Sequence, residues 1–146
     1  MTRFPAACGP LLSVATLVLT SCAAPAPLPQ AGEIVVASGG SFGSSSTQIF
    51  SDGTVISTHA VSGQVPVRAI RHGLPEAYRK AAAILAAEGL ASRRAIKPQV
   101  RPCLDYGTDQ VSAAPPIAGF DKAVAACPDA ALQALMSDVL ATLAQP

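Results

Sequence analysis

Serine and histidine side chains are the parts of this sequence that could act in nucleophilic catalysis. The serines cluster in SGGSFGSSS, residues 38–46, and the histidines are His59 and His72. A catalytic site needs a nucleophile, a base and a group that orients the base, and no SxxK pair supplies part of such a set. No lysine lies near residues 38–46, so the segment also lacks the cation of a phosphate-binding P-loop. We expect a flexible connecting loop at 38–46 and two exposed histidines.

Acidic side chains offer a second kind of chemistry, the binding of a divalent cation. Asp105, Asp109 and Asp121 lie in one region of the chain, but their spacing lacks the glycine and the bidentate glutamate of an EF-hand loop. The cysteines do not indicate a zinc site, because they form no CxxC pair and both histidines are distant in sequence. We predict turn and capping roles for the aspartates, and no metal or cofactor.

The first 22 residues carry a targeting signal. One cation, Arg3, precedes an apolar stretch from Pro10 to Leu19, which has the length of a secretory signal and is too short for a permanent membrane helix. The stretch ends in Leu19-Thr20-Ser21-Cys22, which resembles the lipobox of bacterial lipoproteins. The resemblance implies that residues 1–21 are a signal peptide that is removed. It also implies that Cys22 becomes the first mature residue and carries the lipid.

The residues after Cys22 suit an anchored protein. Residues 22–32 are rich in alanine and proline, which favours an extended spacer between membrane and domain. Position 23 is alanine rather than the aspartate that retains enteric members of the family in the inner membrane. The resemblance therefore slightly favours an outer-membrane anchor facing the periplasm. The alternative is a plain secretory signal that is cut after Ala23 or Ala24.

The lipoprotein resemblance also bears on the other cysteines. Cys8 would leave with the signal and Cys22 would carry the lipid, which leaves Cys103 and Cys127. In an oxidising periplasm, two thiols without CxxC spacing are expected to form a structural disulfide rather than a redox site. Closing a loop of this length contributes about 3.5 kcal/mol in the chain-entropy treatment.

Residues 33–146 are expected to form a single α+β domain. Apolar and β-branched runs predict strands at 33–38, 46–50, 54–60, 109–113 and 121–126, with a further short extended piece at 65–70. Asp52-Gly53, between two of these runs, predicts a hairpin. We expect a small antiparallel sheet in the order β-β-β-α-β-β-α, with both helices packed on one face.

Two helices are predicted from the 3.6-residue period of apolar side chains. The first covers residues 74–90, with Pro75 and Glu76 in its first turn and Gly89 at its end. Its buried face is expected to be Tyr78, Ala81, Ala82 and Leu85. The second covers residues 128–144, begins at Pro128 and Asp129, and has one apolar face. That face comprises Leu132, Leu135, Met136, Val139, Leu140 and Leu143. The layout is similar to small uncharacterised periplasmic lipoproteins with an Asp-Gly hairpin and a late cysteine pair, a resemblance that implies no activity.

Charge is balanced overall but unevenly placed. Without residues 1–21 the chain has nine basic and nine acidic side chains, so composition gives no reason to expect a nucleic-acid partner. Residues 68–101 carry a net charge of +6, and residues from 103 onward carry −4. One interpretation is a solvated helix face. The other is a patch that contacts anionic lipid headgroups, lipopolysaccharide or an acidic partner. This patch would comprise Arg68, Arg71, Arg93, Arg94, Lys97 and Arg101.

Two functional hypotheses follow. The first is a lipid-anchored, periplasm-facing envelope protein whose domain is a non-enzymatic binding or accessory module. Its partners would be the membrane, through the lipid, and an envelope protein. The alternative is a small inhibitor or enzyme that uses residues 38–46, near Phe42, as its active edge. The sequence indicates no oligomeric state.

Overall fold

A computed structural model describes residues 31–96, 103 and 107–144 of the chain. The predicted signal peptide, Cys22 and most of the spacer lie outside these residues, as do Lys97, Arg101 and Asp105. The described chain folds as a mixed structure of six strands and two helices. The strands are β1 (Glu33–Gly40), β2 (Gly43–Phe50), β3 (Val55–Val61), β4 (Val67–Arg71), β5 (Thr108–Ala114) and β6 (Val124–Ala126). The helices are α1 (Pro75–Ala95) and α2 (Ala130–Ala141).

All six strands form one antiparallel sheet in the order β4-β3-β2-β1-β5-β6. The predicted α+β class is therefore confirmed. The short extended piece expected at 65–70 is a full strand, β4, so four strands precede α1 instead of three. Since β1 to β4 follow one another as hairpins, they form a meander, and α1 connects this meander to β5 on the other side of β1.

The core lies between one face of the sheet and the two helices. Because side chains alternate along a strand, Ile34, Val36 and Ile49 point to the same face and are buried there. They join one apolar cluster with Ala81 and Leu85 of α1 and four residues of α2. Those four are Leu132, Leu135, Met136 and Val139, and Leu140 and Leu143 pack against them partly buried. Both helices thus cover the same face, here called the helix-bearing face.

The Asp-Gly hairpin between β2 and β3 is confirmed. Gly53 has a φ of 85°, a left-handed conformation that glycine adopts without steric cost. The side-chain oxygen Oδ1 of Asp52 accepts a hydrogen bond of 2.8 Å from the backbone N–H of Thr54. This bond favours the carboxylate and holds the pKa of Asp52 below its ordinary value. The turn therefore has the side chain and the glycine that its shape requires.

Residues 38–46 are not a loop, and this prediction was wrong. Ser38 pairs with Ser45, Gly39 with Ser44 and Gly40 with Gly43, so only Ser41 and Phe42 remain as a turn between β1 and β2. Backbone hydrogen bonds rather than apolar burial define this end of the hairpin. The period-2 alternation of apolar side chains that indicates a half-buried strand is absent here, since serine and glycine occupy both faces.

Gly89 does not end α1, which continues to Ala95. Gly89 is buried in the helix, and a Cβ at this position would overlap the ring of Phe120. The absence of a side chain at Gly89 therefore makes room for the ring of Phe120, and it does not mark the end of the helix. Within α1 the fully buried positions are Ala77, Ala81, Leu85 and Gly89. The predicted Tyr78 and Ala82 pack against the core only partly buried.

The last strand is shorter than predicted, beginning at Val124 instead of Asp121. Residues 117–120 form a tight turn in which Phe120 donates its N–H to the carbonyl of Ile117 at 2.8 Å. Gly119 adopts a φ of 84° in this turn. The turn directs the side chain of Phe120 into the core and leaves Asp121 exposed. At the start of α2, Asp129 is the N-cap and accepts a 2.9 Å bond from Ala131, as predicted.

Candidate functional site

Strand β4 is one of the two edge strands of the sheet, and the short β6 is the other. Strand β4 pairs with β3 along one side, from Val55↔Arg71 to His59↔Val67, and no described strand pairs with its other side. All five of its residues are exposed. An edge of this kind presents a row of unpaired backbone N–H and C=O groups, which can template pairing with another chain. This backbone is the feature of the described residues best suited to binding an extended peptide.

The side chains of β4 combine apolar and basic groups. Val67 is 69% exposed and Ile70 is 52% exposed, and Val65 in the preceding turn is 88% exposed. Arg68 and Ile70 point to the face opposite the helices, while Val67 and Arg71 point to the helix-bearing face. Neither Arg68 nor Arg71 forms an ion pair with any residue that the structure describes. The guanidinium of Arg71 instead donates a 3.5 Å bond to the carbonyl of Leu143.

The structure does not bring the predicted basic patch together. Arg68 and Arg71 lie on β4, before the first turn of α1, whereas Arg93 and Arg94 lie in its last turn. At 1.5 Å per residue, the helix separates Pro75 from Arg93 by about 27 Å. Lys97 and Arg101 lie outside the described residues. The described members of the patch therefore divide into two separate pairs, Arg68 and Arg71 on β4 and Arg93 and Arg94 at the end of α1.

Arg93 has a structural environment of its own. Its guanidinium is 3.1 Å from the carboxylate of Asp121, donates a 2.7 Å bond to the carbonyl of Lys122, and lies 5.6 Å from the centre of the Phe120 ring. The hydrogen bond from Arg93 lowers the pKa of Asp121 below its ordinary value. Arg93 therefore links α1 to the turn before β6, while Arg94 beside it is exposed.

A polar row crosses the helix-bearing face near the turn between β1 and β2. In the register of the sheet, Asp109 of β5 lies opposite Ser38, Ser38 opposite Ser45, and Ser45 opposite His59. A shallow cleft of about 290 Å³ lies over this row, lined by the glycine- and serine-rich hairpin and His59, with Phe42 at its lip. The structure thus brings together the serine segment and one of the two histidines.

The row does not assemble a catalytic triad. Ser45 and His59 are cross-strand neighbours, but Asp109 lies three strand spacings from His59, about 14 Å at 4.8 Å per spacing. A triad requires the acid beside the base, on the side away from the nucleophile. His72, the other histidine, is exposed at the opposite end of β3, with its Nδ1 3.2 Å from the hydroxyl of Thr54.

One pattern in the serine segment escaped the sequence reasoning. Gly39-Gly40-Ser41-Phe42-Gly43 matches the form GxSxG, which marks a nucleophilic serine when it joins a strand to a helix. Here the segment joins two strands, β1 and β2, so Ser41 lies at a hairpin turn rather than at a strand-to-helix elbow. Ser41 is exposed and is not among the residues that line the cleft.

Cys103 and Cys127 form a disulfide, as the sequence predicts, with their Cα atoms 5.2 Å apart. Cys127 directly follows β6, and Cys103 precedes β5, whose Asp109 pairs with Ala126 of β6. The bridge therefore joins the entrance of β5 to the exit of β6, immediately before α2. Beside it, Gly107 passes so close to the backbone of Gly39 and Gly40 that a Cβ would overlap their atoms.

In the part of the chain that the structure describes, no three acidic, histidine or cysteine side chains converge as a metal site. Neither helix is both long enough and apolar enough to span a membrane. The chain matches no protein-family model, no curated protein and no solved structure.

Proposed function

We propose that this chain is a lipid-anchored protein of the bacterial envelope whose globular domain is a non-enzymatic binding module. Its partner is an extended acidic segment of another envelope protein, which adds to the sheet as a seventh strand along β4. The observation that carries the proposal is the exposed outer edge of β4, with which no described strand pairs and on which Arg68 and Arg71 lie. The lipid on Cys22 and the spacer at 22–32 hold the domain on the periplasmic side of the membrane.

Strand addition suits this edge for two physical reasons. Main-chain hydrogen bonds supply affinity without a deep pocket, and alternate side chains supply specificity. On β4 those side chains are apolar or basic. Arg68 and Arg71 are three residues apart and point to opposite faces, so an added strand with two glutamates three residues apart and valine elsewhere places one glutamate beside each arginine. A lysine-bearing strand would meet Arg68 and Arg71 as like charges, which destabilise adjacent strands when they lie opposite one another.

The anchor is tested by the intact mass of the protein extracted from membranes. We expect the polypeptide to begin at Cys22, to carry acyl groups and to gain the mass of two hydrogens when the disulfide is reduced. Replacing Cys22 with alanine should abolish acylation and release the protein from the membrane fraction, because the lipid supplies the anchoring energy at about 0.8 kcal/mol per buried CH₂ group. A chain that retains residues 1–21, or a wild-type chain without lipid, would contradict the anchor.

The edge is tested with a synthetic peptide. We expect a capped seven-residue peptide with glutamate at its third and sixth positions and valine at the others to bind, and its binding to slow hydrogen exchange at β4 amides, because these groups become hydrogen-bonded. The double change Arg68→Glu with Arg71→Glu should weaken binding about tenfold, since it removes two exposed ion pairs that contribute up to about 1 kcal/mol each. Affinity is measured by calorimetry and protection by NMR on the same protein.

Two controls separate specific strand addition from general charge attraction. Arg94→Glu makes the same kind of charge change in the last turn of α1 and should leave peptide binding unchanged. A peptide with lysine in place of glutamate should bind at least about tenfold more weakly. Equal binding of both peptides, or unchanged exchange at β4, would mean that the arginines serve only to keep the edge from pairing, and the proposal would fail.

A further inference from the structure

Asp109 is a buried carboxylate that none of the roles described above uses. It lies on β5, on the helix-bearing face, and is only 4% exposed. Within the described part of the chain its side chain has one hydrogen bond, a 3.4 Å contact in which the amide of Gln133 donates to Oδ2. The expected turn or capping role is therefore not what this aspartate does.

A cavity of about 360 Å³, open to solvent on one side, lies beside this carboxylate where α2 meets the sheet. Its walls are Ser38 and Asp109 from the sheet and Gln133, Met136, Ser137 and Leu140 from α2. Ser38 also lines the cleft over the serine-rich hairpin. The cavity and the cleft therefore adjoin, and together they follow the polar row from Asp109 to His59. Binding sites for small molecules commonly fall in the range of about 300–1,000 Å³ and combine apolar walls with a few polar groups.

The chemistry of this cavity favours a cation. Removing a carboxylate from water is costly unless an opposite charge or several hydrogen bonds compensate it, and one long bond from an uncharged amide compensates it weakly. The structure places no basic side chain of the described residues in ion-pair contact with Asp109. Met136 and Leu140 line the cavity with apolar surface, and Asp109 itself is only 4% exposed. An ion pair with this carboxylate is therefore screened less by water than a pair on the surface.

We infer that this cavity is a binding site for the ammonium group of a small polar amine. The ammonium group pairs with Asp109 and donates to the hydroxyl of Ser38, while the rest of the molecule lies in the cleft along Ser45 toward His59. The observations that support this site are the cavity and the buried carboxylate alone. It is independent of strand addition at β4, since none of its lining residues belongs to β4.

The test uses the full-length protein in detergent and a matched pair of probes. 1,4-Diaminobutane carries ammonium groups, and 1,4-butanediol has the same chain length without charge. We expect the diamine to bind, with NMR shift changes at Ser38, Asp109 and Ser137, and the diol to cause none. Asp109→Asn keeps the shape of the side chain and should weaken diamine binding about 30-fold or more, the effect of removing one partner of a buried charge pair.

Two further variants make the result decisive. Asp138→Asn removes the same charge from the exposed side of α2 and should leave the affinity unchanged. Ser137→Leu fills the cavity from an exposed helix position while Asp109 stays intact, and should also abolish binding. The inference is overturned if the diamine does not bind, if the diol binds equally well, or if neither Asp109→Asn nor Ser137→Leu weakens binding. If the diamine did not bind while the peptide still bound at β4, the result would overturn the amine site and leave strand addition at β4 standing.

Discussion

Replacing Phe120 with alanine is expected to lower the free energy of unfolding by about 3–5 kcal/mol, the usual cost of removing a large buried side chain and leaving a cavity. Phe120 is only 1% exposed and is the largest of the fully buried side chains. Its ring lies against Gly89, where no Cβ competes for the space, and under the guanidinium of Arg93. The truncation therefore removes the apolar contact between the turn before β6 and α1, while the polar contacts of Arg93 with that turn can remain. Urea unfolding followed by circular dichroism measures the change.

Phe42 provides the matched control for this experiment. It has the same side chain but is 79% exposed at the turn between β1 and β2, so Phe42→Ala should change stability by no more than about 0.5 kcal/mol. Equal losses from the two substitutions would contradict the packing described for Phe120. A loss of stability confined to Phe120→Ala would confirm that the Phe120 ring is packed in the core, where it lies against Gly89.

Removing the disulfide is expected to have an effect of similar size. Cys103 and Cys127 are 24 residues apart, and opening a loop of this length lowers stability by about 3.5 kcal/mol in the chain-entropy treatment. The comparison is between Cys103→Ser with Cys127→Ser and a parent chain in which Cys8 and Cys22 are already serine, so that only one disulfide can form. Urea midpoints of the two proteins give the difference.

A reducing agent supplies the control for the disulfide experiment. It should lower the midpoint of the parent to that of the double-serine variant, and it should leave the variant unchanged. If reduction had no effect on the parent, the bridge would not stabilise the fold. If it lowered the midpoint of the variant as well, the effect of the reductant would not come from this bridge.

The helices and the Asp-Gly hairpin could be predicted because their signals are local. In α2, the spacing of Leu132, Leu135, Met136 and Val139 marks the buried face, and Asp129 marks the start. At the hairpin between β2 and β3, Asp52 and Gly53 supply both the turn conformation and its hydrogen bond. The cysteine pairing was predictable for a different reason, since once Cys8 and Cys22 are assigned to the signal and the lipid, only one pair remains.

The misassigned elements depend on contacts between residues distant in sequence. Gly89 has the character of a helix end, and only the position of Phe120 about thirty residues later shows why a glycine belongs inside α1. Likewise, Ser44 and Ser45 form a strand because β1 and β3 pair with them on both sides. Neither pairing leaves a trace in the local pattern of apolar residues, which is the signal that sequence reasoning uses.

The candidate sites were predictable only in part. Arg68 and Arg71 were selected by charge, but their position on an exposed edge depends on β4, which the sequence showed only as a short extended piece. For Asp109 the sequence predicts only a turn or capping role. Its burial follows from the register that places it opposite Ser38 and beneath α2. A single carboxylate in a strand gives no indication of which face it occupies until that register is known.

The position of β1 also determines when the sheet can be completed as the chain emerges. β1 is the first strand of the described chain, yet it lies inside the sheet, between β2 and β5. Because the N-terminal part of the chain emerges first, the meander β1 to β4 and all of α1 are free before Thr108 begins to cover the second side of β1. During that interval the nascent chain exposes a long, partly apolar edge, the kind of surface through which incomplete chains associate. The pairing of β5 with β1 therefore ends the stage at which this edge can cause aggregation. A chaperone that shields β1 would act before that point.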